Sequence, residues 1–227
     1  LLDFLTKAFA QLNDPRLQRI VALSVGLALA VLLVLGIGAW FLIAQLDLFS
    51  WGWLDTVFEV GSGIGIAILL WLLFPAAVSA TIGLFLEGVA GAVEARHYPG
   101  LPSPRAQSVQ EAILSGLKFA LVAILLNLLV LPIYLLGVFL PPLNFFVFYA
   151  LNGYLLGREY YETVALRRLD TRQAGELRRR NRWRVFLAGV VITLMLTVPV
   201  LNLIAPVIAT AFMVHIFEVI RRRPALA

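Results

Sequence analysis

Four stretches of the chain carry no charged side chain: Ile20–Ala44, Val60–Leu86, Phe119–Gly157 and Val185–Phe217. The first is 25 residues long and the second 27. At about 1.5 Å of rise per residue, a 25-residue helix reaches about 37 Å, more than the roughly 30 Å hydrocarbon core of a bilayer. Both are therefore expected to span with some tilt. The other two, of 39 and 33 residues, are too long for one span and are interrupted by proline. Pro132 and the Pro141-Pro142 pair fall in one, Pro199 and Pro206 in the other. Each predicts a helix–turn–helix hairpin. Val185–Val198 would reach only about 21 Å as helix and falls short of crossing; Leu143–Gly157 is similarly short, whereas Phe119–Leu140 is long enough. Irregular backbone at membrane depth has to be buried in protein or line water.

The expected fold class is an all-α integral membrane protein, with two long transmembrane helices and two Pro-broken, hemi-penetrating helical hairpins. It is expected to form one membrane domain over 1–227. At the N-terminus, Leu1, Leu2, Leu5, Ala8, Phe9 and Leu12 recur at helical spacing, with Asp3, Lys7 and Asn13 elsewhere. This predicts an amphipathic helix over 1–14, lying at the interface or packed on the protein. The segment lacks the basic start and small-residue cleavage site of a signal peptide.

Composition agrees with lipid as the main solvent. Of 227 residues 61% are hydrophobic and 14% charged, and mean hydropathy is +0.93; soluble domains run near 45–50% apolar and about 25% charged. The absence of cysteine excludes thiolate nucleophiles, Cys-type zinc sites and iron–sulfur clusters.

Charge placement gives an orientation. The loop between the first two spans holds only acids, Asp47, Asp55 and Glu59, and all 18 basic residues lie elsewhere. If both hairpins return to their starting side, every basic segment shares one face, which the positive-inside rule makes cytoplasmic. The densest segment, 158–184, contains Arg167, Arg168, Arg172, Arg178, Arg179, Arg180, Arg182 and Arg184. It suits a solvated or headgroup-facing helix, or a docking surface; no nucleic-acid-binding motif accompanies it.

The hairpins resemble each other. Pro141-Pro142-Leu143-Asn144 answers to Pro199-Val200-Leu201-Asn202, and an apolar arm then runs to an acid, Glu159 or Glu218. Pro-interrupted repeats recur in transporters, where half-helix N-termini offer free N–H groups and a positive dipole to an anion. Alternatively Asn144 and Asn202 simply cap helices.

No nucleotide-binding loop, Gly-x-Ser-x-Gly or His-Glu-x-x-His motif is encoded, which weighs against an ATP-driven pump or an intramembrane hydrolase. No metal-ligand motif and no cofactor are expected: His97 and His215 are the only histidines. His215 lies in an apolar arm, where an ionisable group either relays protons or pairs with Glu218 on the same helix face. Gly61/Gly65 and Gly153/Gly157 invite close helix packing. Asn127 and Asn152 are expected to hydrogen-bond between helices. Around Glu87-Gly88-Val89-Ala90-Gly91, backbone N–H groups could face an anion, or a helix end could pack tightly.

The chain resembles the CysZ-type sulfate permeases, grouped with the etoposide-induced 2.4 membrane proteins. The resemblance covers most of the chain. It rests on Asp14-Pro15-Arg16-Leu17-Gln18-Arg19-Ile20-Val21, on Val93-Glu94-Ala95-Arg96-His97-Tyr98-Pro99, on Tyr154–Glu162 and on Val198-Pro199-Val200-Leu201-Asn202-Leu203. It implies a multi-pass protein of the bacterial inner membrane that takes up sulfate for cysteine biosynthesis and assembles as a homo-oligomer. It also implies a sulfate site at an Arg-Arg pair opening the first long helix, which here reads Gln18-Arg19 with Arg16 nearby. A Gly-Leu-Leu-Ala-Glu-like stretch adds backbone groups, here Gly88, Val89 and Ala90.

The expected function is thus an anion permease for sulfate or a related oxyanion, with no enzymatic activity and no nucleic-acid partner. Arg19, Arg16 and Gln18 would bind the ion, and Glu87, Glu94 and His215 are candidate proton carriers. The alternative is a membrane scaffold that transports nothing.

Overall fold

In a computed structural model, residues 2–43, 45 and 52–222 are described, and all their regular structure is helical. Asp47 and Ala44, the C-terminal limit expected for the first span, lie outside the described residues, as do Leu1 and the side chain of Asp55.

The N-terminal segment forms α1 (Leu2–Ala10), followed by a 3-10 turn over Gln11–Asn13. Its apolar face does not lie free for lipid: Phe4, Leu5 and Phe9 pack against the core and Ala8 is buried. Asp14 then breaks the helix, and Pro15 starts α2 (Pro15–Ile43). Proline suits this first position, where its missing N–H had no helical partner. α3 (Gly52–Gly83) returns alongside α2. The two approach closely where Gly36 meets Leu70, and the Thr81 hydroxyl donates to the Ser24 carbonyl at 2.9 Å. Pro15–Ile43 and Thr56–Gly83 are long and apolar enough to cross a membrane, as expected for the first two charge-free stretches.

A third helix meets the same criterion. α5 (Val109–Leu136) begins ten residues before the charge-free stretch, because the Ser108 hydroxyl accepts from the Glu111 N–H at 3.2 Å and caps it. Pro132 does not break α5, contrary to its expected role. The helix ends at Gly137–Leu140, and Pro141 opens α6 (Pro141–Ala165). The first hairpin therefore turns at one place only. No residue of α5 is fully buried within the subunit, and only a stripe through Ser115, Phe119, Val122 and Leu126 is half-buried where it meets α6, so most of its circumference is left for lipid or another chain.

The remaining helices build a core. Leu84 and Phe85 form a turn from which α4 (Leu86–His97) departs. The turn containing Gly100, at φ +88°, follows it. α7 (Thr171–Arg180) starts at a capping box, in which Asp170 and Gln173 exchange side-chain and backbone hydrogen bonds. α8 (Arg182–Leu196), the one-turn α9 (Pro199–Asn202) and α10 (Ala205–Arg222) complete the chain. Every residue from Ala205 to Glu218 is buried. α10 is thus the central helix, enclosed by α1, α3, α4, α6 and α8.

The close contact of α6 with α8 is made by glycine. A methyl group on Gly153 would sit 2.6 Å from Val190 Cγ2, and one on Gly189 would sit 2.5 Å from the Gly157 nitrogen. Gly153/Gly157 thus does what a small-residue pair does between helices. Gly61 and Gly65 meet nothing within 4 Å.

The hairpin turns follow the proline pattern but not the asparagine one. Pro141 and Pro199 each open a helix. The N-caps are Leu140 and Val198, neither with a side-chain cap, so Asn144 and Asn202 do not cap these helices. Asn144 sits one turn inside α6, its amide against Gly137, and Asn202 ends α9. Asn127 and Asn152 also differ from expectation. Each donates to a carbonyl of its own helix, Ala123 at 2.8 Å and Phe148 at 2.9 Å, rather than across an interface.

Candidate functional site

The start of α2 lies against α4. Gly88 faces Ile20, whose Cδ1 would be 3.4 Å from an added methyl group. One turn along, Ala92 and Ala95 line a recess of about 360 Å³ with Asp14, Arg16 and Arg96. The pairing of Ile20 with Gly88 and of Arg16 with Ala92 makes the two segments antiparallel. Small residues on this face of α4 let α2 approach and leave the recess open between them.

Charge in the recess is only partly compensated. Asp14 Oδ1 accepts from the Arg16 backbone N–H at 2.9 Å, and Asp14 Oδ2 is 3.4 Å from Arg96 Nη1. The guanidinium of Arg16 and that of Arg19 have no ion pair among the described residues, and both residues are exposed. At about 100° of turn per residue, Arg16 and Ile20 bracket the seam with α4, and Arg19 falls on its flank. Gln18 points to the opposite face. The structure therefore brings Arg16 to the recess and leaves both the exposed Arg19 and Gln18 outside its lining.

The glycine stretch is helical. The Val89 N–H donates to the Phe85 carbonyl at 3.1 Å, and Val89 and Ala90 are fully buried toward the core. The N–H groups of Glu87 and Gly88, in the uncapped first turn of α4, are the ones a helix leaves without a partner. Of the stretch Gly88–Ala90, only Gly88 therefore offers a free N–H, alongside Glu87 before it. Glu87 itself is exposed.

Glu94 is held in a clamp. Its Oε2 lies 2.5 Å from Arg168 Nη2 and 3.1 Å from Arg167 Nη2, with all three side chains at least 89% buried. Arg168 also donates to the Pro102 carbonyl, and the Arg167 carbonyl accepts from the Arg105 N–H at 2.8 Å. These two arginines are thus not part of a solvated basic face; they tie α4 and its following loop to the end of α6.

His215 does not pair with Glu218. Its Nδ1 is 2.8 Å from the Tyr98 hydroxyl, its ring meets that of His97 edge-on at 4.9 Å, and its Nε2 is buried without a hydrogen-bond partner. Glu218 is instead bridged by Arg221 at 2.8 Å and Arg222 at 3.1 Å. Burial and the nearby Arg96 charge hold His97 below the ordinary histidine range.

A second concave basic region had been visible in the sequence only as a run of arginines. Arg158, Arg178, Arg179 and Arg182 line a cavity of about 740 Å³ between α6 and the α7–α8 corner. Its signal was the spacing Arg178/Arg179/Arg182, but the partner Arg158 comes from another helix. Among the described residues no group of three or more His, Cys, Asp or Glu is placed to hold a metal ion.

A family model described as sulfate transporter CysZ/etoposide-induced protein 2.4 matches residues 4–206. No curated protein matches the chain significantly.

Proposed function

Because this chain belongs to the sulfate transporter CysZ/etoposide-induced protein 2.4 family, we propose that it is a sulfate permease of the bacterial inner membrane. In this reading it is multi-pass, homo-oligomeric and not an enzyme, and it supplies sulfate for cysteine biosynthesis without hydrolysing ATP. The observation that carries the reading is the pair of uncompensated guanidiniums, Arg16 and Arg19, at the mouth of the first spanning helix. Arg16 lines the recess with Ala92, Ala95 and Arg96 in the later turns of α4, whereas Gly88 in the uncapped first turn meets Ile20, one turn further along α2.

A tetrahedral oxyanion suits this arrangement chemically. Arginine donates two parallel charge-assisted hydrogen bonds to such an ion, and the first-turn N–H groups of α4, at the positive end of its dipole, lie one turn further along α2, beside Ile20. The recess is open to solvent on the side where the basic residues gather, so it captures or releases the ion at the cytoplasmic face. Asp14 lowers the net positive charge there, which favours release over tight retention.

Driving force must come from elsewhere. An inside-negative potential opposes anion entry by about 2.3 kcal/mol per charge per 100 mV, and sulfate carries two charges. Glu87 is the proton carrier this reading favours. It is exposed in the first turn of α4, whereas Glu94 is clamped by two arginines and His215 is enclosed in the core.

Equilibrium binding tests the site. Purified protein titrated calorimetrically with sulfate should show binding that Arg16→Gln/Arg19→Gln weakens at least tenfold. Chloride at the same ionic strength should give no comparable signal. A double variant that binds sulfate like wild type would overturn the assignment and favour a non-transporting scaffold.

A further inference from the structure

The cavity between α6 and the α7–α8 corner takes no part in the sulfate site described above. Four arginines line it, and among the described residues Glu162 is the acid that forms ion pairs with them. Glu162 Oε1 lies 2.8 Å from Arg158 Nε and 4.0 Å from Arg178 Nε. One carboxylate thus serves two guanidiniums. Arg179 and Arg182 have no ion pair or hydrogen bond among the described residues, although both belong to the cavity wall.

Two observations point to a missing acceptor. Arg158 is 95% buried yet lines the cavity, so its charge is already withdrawn from bulk water. Arg178 Nε is buried and has no hydrogen-bond partner. Buried guanidinium groups are normally fully hydrogen-bonded, because leaving one unsatisfied costs about 1–3 kcal/mol or more.

The other walls are apolar. Tyr154, Trp183 and Phe186 face the same space, and Trp183 is 66% and Tyr154 40% exposed. The cavity sits where α8 passes from Arg182-Trp183-Arg184 into its apolar run, Val185 onward. Arginine beside exposed Trp and Tyr at the start of an apolar helix marks the headgroup level of a bilayer. A site with arginines at one end and aromatic walls fits an amphiphile better than a free ion, which would leave those walls wet.

We propose that this cavity binds the phosphate of an acidic phospholipid headgroup, with Arg179 and Arg182 supplying the uncompensated charge and Arg158 and Arg178 the buried donors. The bound phosphate accepts from Arg178, and the acyl chains run along the apolar wall toward α8.

Native mass spectrometry of the full chain in mild detergent, titrated with phosphatidylglycerol or phosphatidylcholine, tests the site. Wild type should retain phosphatidylglycerol at least tenfold more strongly than phosphatidylcholine. Arg179→Gln/Arg182→Gln should lose that preference, since both side chains are exposed and their removal leaves the fold intact. Lys7→Gln/Arg105→Gln removes the same charge elsewhere and should keep the preference within twofold. Equal retention of the two lipids by wild type, or an unchanged preference in Arg179→Gln/Arg182→Gln, would overturn the proposal. Displacement of phosphatidylglycerol by millimolar inorganic phosphate or sulfate would also overturn it, in favour of a free oxyanion. None of these outcomes depends on whether Arg16 and Arg19 bind sulfate.

Discussion

Replacing Glu94 with glutamine separates a structural role from a proton-carrying one. Glu94 is 7% exposed, and its partners Arg167 and Arg168 are 11% and 5% exposed. Glu94→Gln removes the one negative charge between two buried guanidiniums and leaves them facing each other. Removing one partner of a buried ion pair typically costs about 3–5 kcal/mol, because the remaining charge is uncompensated. For a chain of this size 1 kcal/mol corresponds to about 2–4 °C, which gives a drop of about 6–20 °C in the midpoint of thermal unfolding. Fluorescence-detected thermal denaturation of the purified protein in detergent would measure it. Arg168→Gln should produce a loss of similar size. The triple change Glu94→Leu, Arg167→Met and Arg168→Met should recover most of it, since packed apolar side chains commonly substitute for a buried ion triad. If Glu94→Gln left the midpoint within about 1 °C of wild type, the clamp would not be holding α4 to the end of α6. Glu94 would then return as a proton carrier.

Four further substitutions test the packing and the local hydrogen bonds. Gly189→Val should abolish a monodisperse peak in size-exclusion chromatography, because the new side chain meets the backbone of α6 rather than a movable group, whereas Gly61→Ala should be tolerated. Tyr98→Phe removes the hydrogen bond to His215 Nδ1, leaving an imidazole with both nitrogens buried and unpaired. It should cost about 1–3 kcal/mol in thermal denaturation. Asp170→Ala removes the capping box of α7 and should cost about 0.5–2 kcal/mol, read as earlier proteolytic cleavage within 171–180.

Much of the architecture was legible because it depends on length and charge. The two charge-free stretches of 25 and 27 residues became α2 and α3, and the prolines at 141 and 199 marked real helix starts. What the pattern concealed was the difference between lipid-facing and protein-facing apolar residues. α5 is the more apolar of the two in sequence, yet it keeps no residue fully buried, whereas α10, with His215 and Glu218 in it, is the centre of the core. Hydropathy reports transfer out of water and does not distinguish lipid from protein as the destination. Pro132 misled for a related reason: neighbouring groups tolerate a proline inside an apolar helix.

The site was legible in part. Arg16 and Arg19 were identifiable from their place before the first apolar stretch, and the structure sets Arg16 in the recess against α4 with Arg19 exposed outside its lining. Gln18 turns away because it lies on the opposite face of α2, which the family pattern alone did not disclose. His215 and Glu218, three residues apart, shared a helix face in the sequence but found partners on other segments and in the last turn. Spacing along one helix fixes which side chains are neighbours, but burial lets longer-range donors such as Tyr98 compete for them.

The most direct test of the central claim is flux of radiolabelled sulfate into sealed proteoliposomes, measured with imposed potentials and pH gradients. Wild-type protein should give uptake well above protein-free vesicles, and Arg16→Gln/Arg19→Gln should reduce the initial rate at least tenfold. Glu87→Gln should abolish any acceleration by an inward proton gradient. Uptake no greater than that of empty vesicles under every gradient, with the protein folded and correctly inserted, would contradict a sulfate permease.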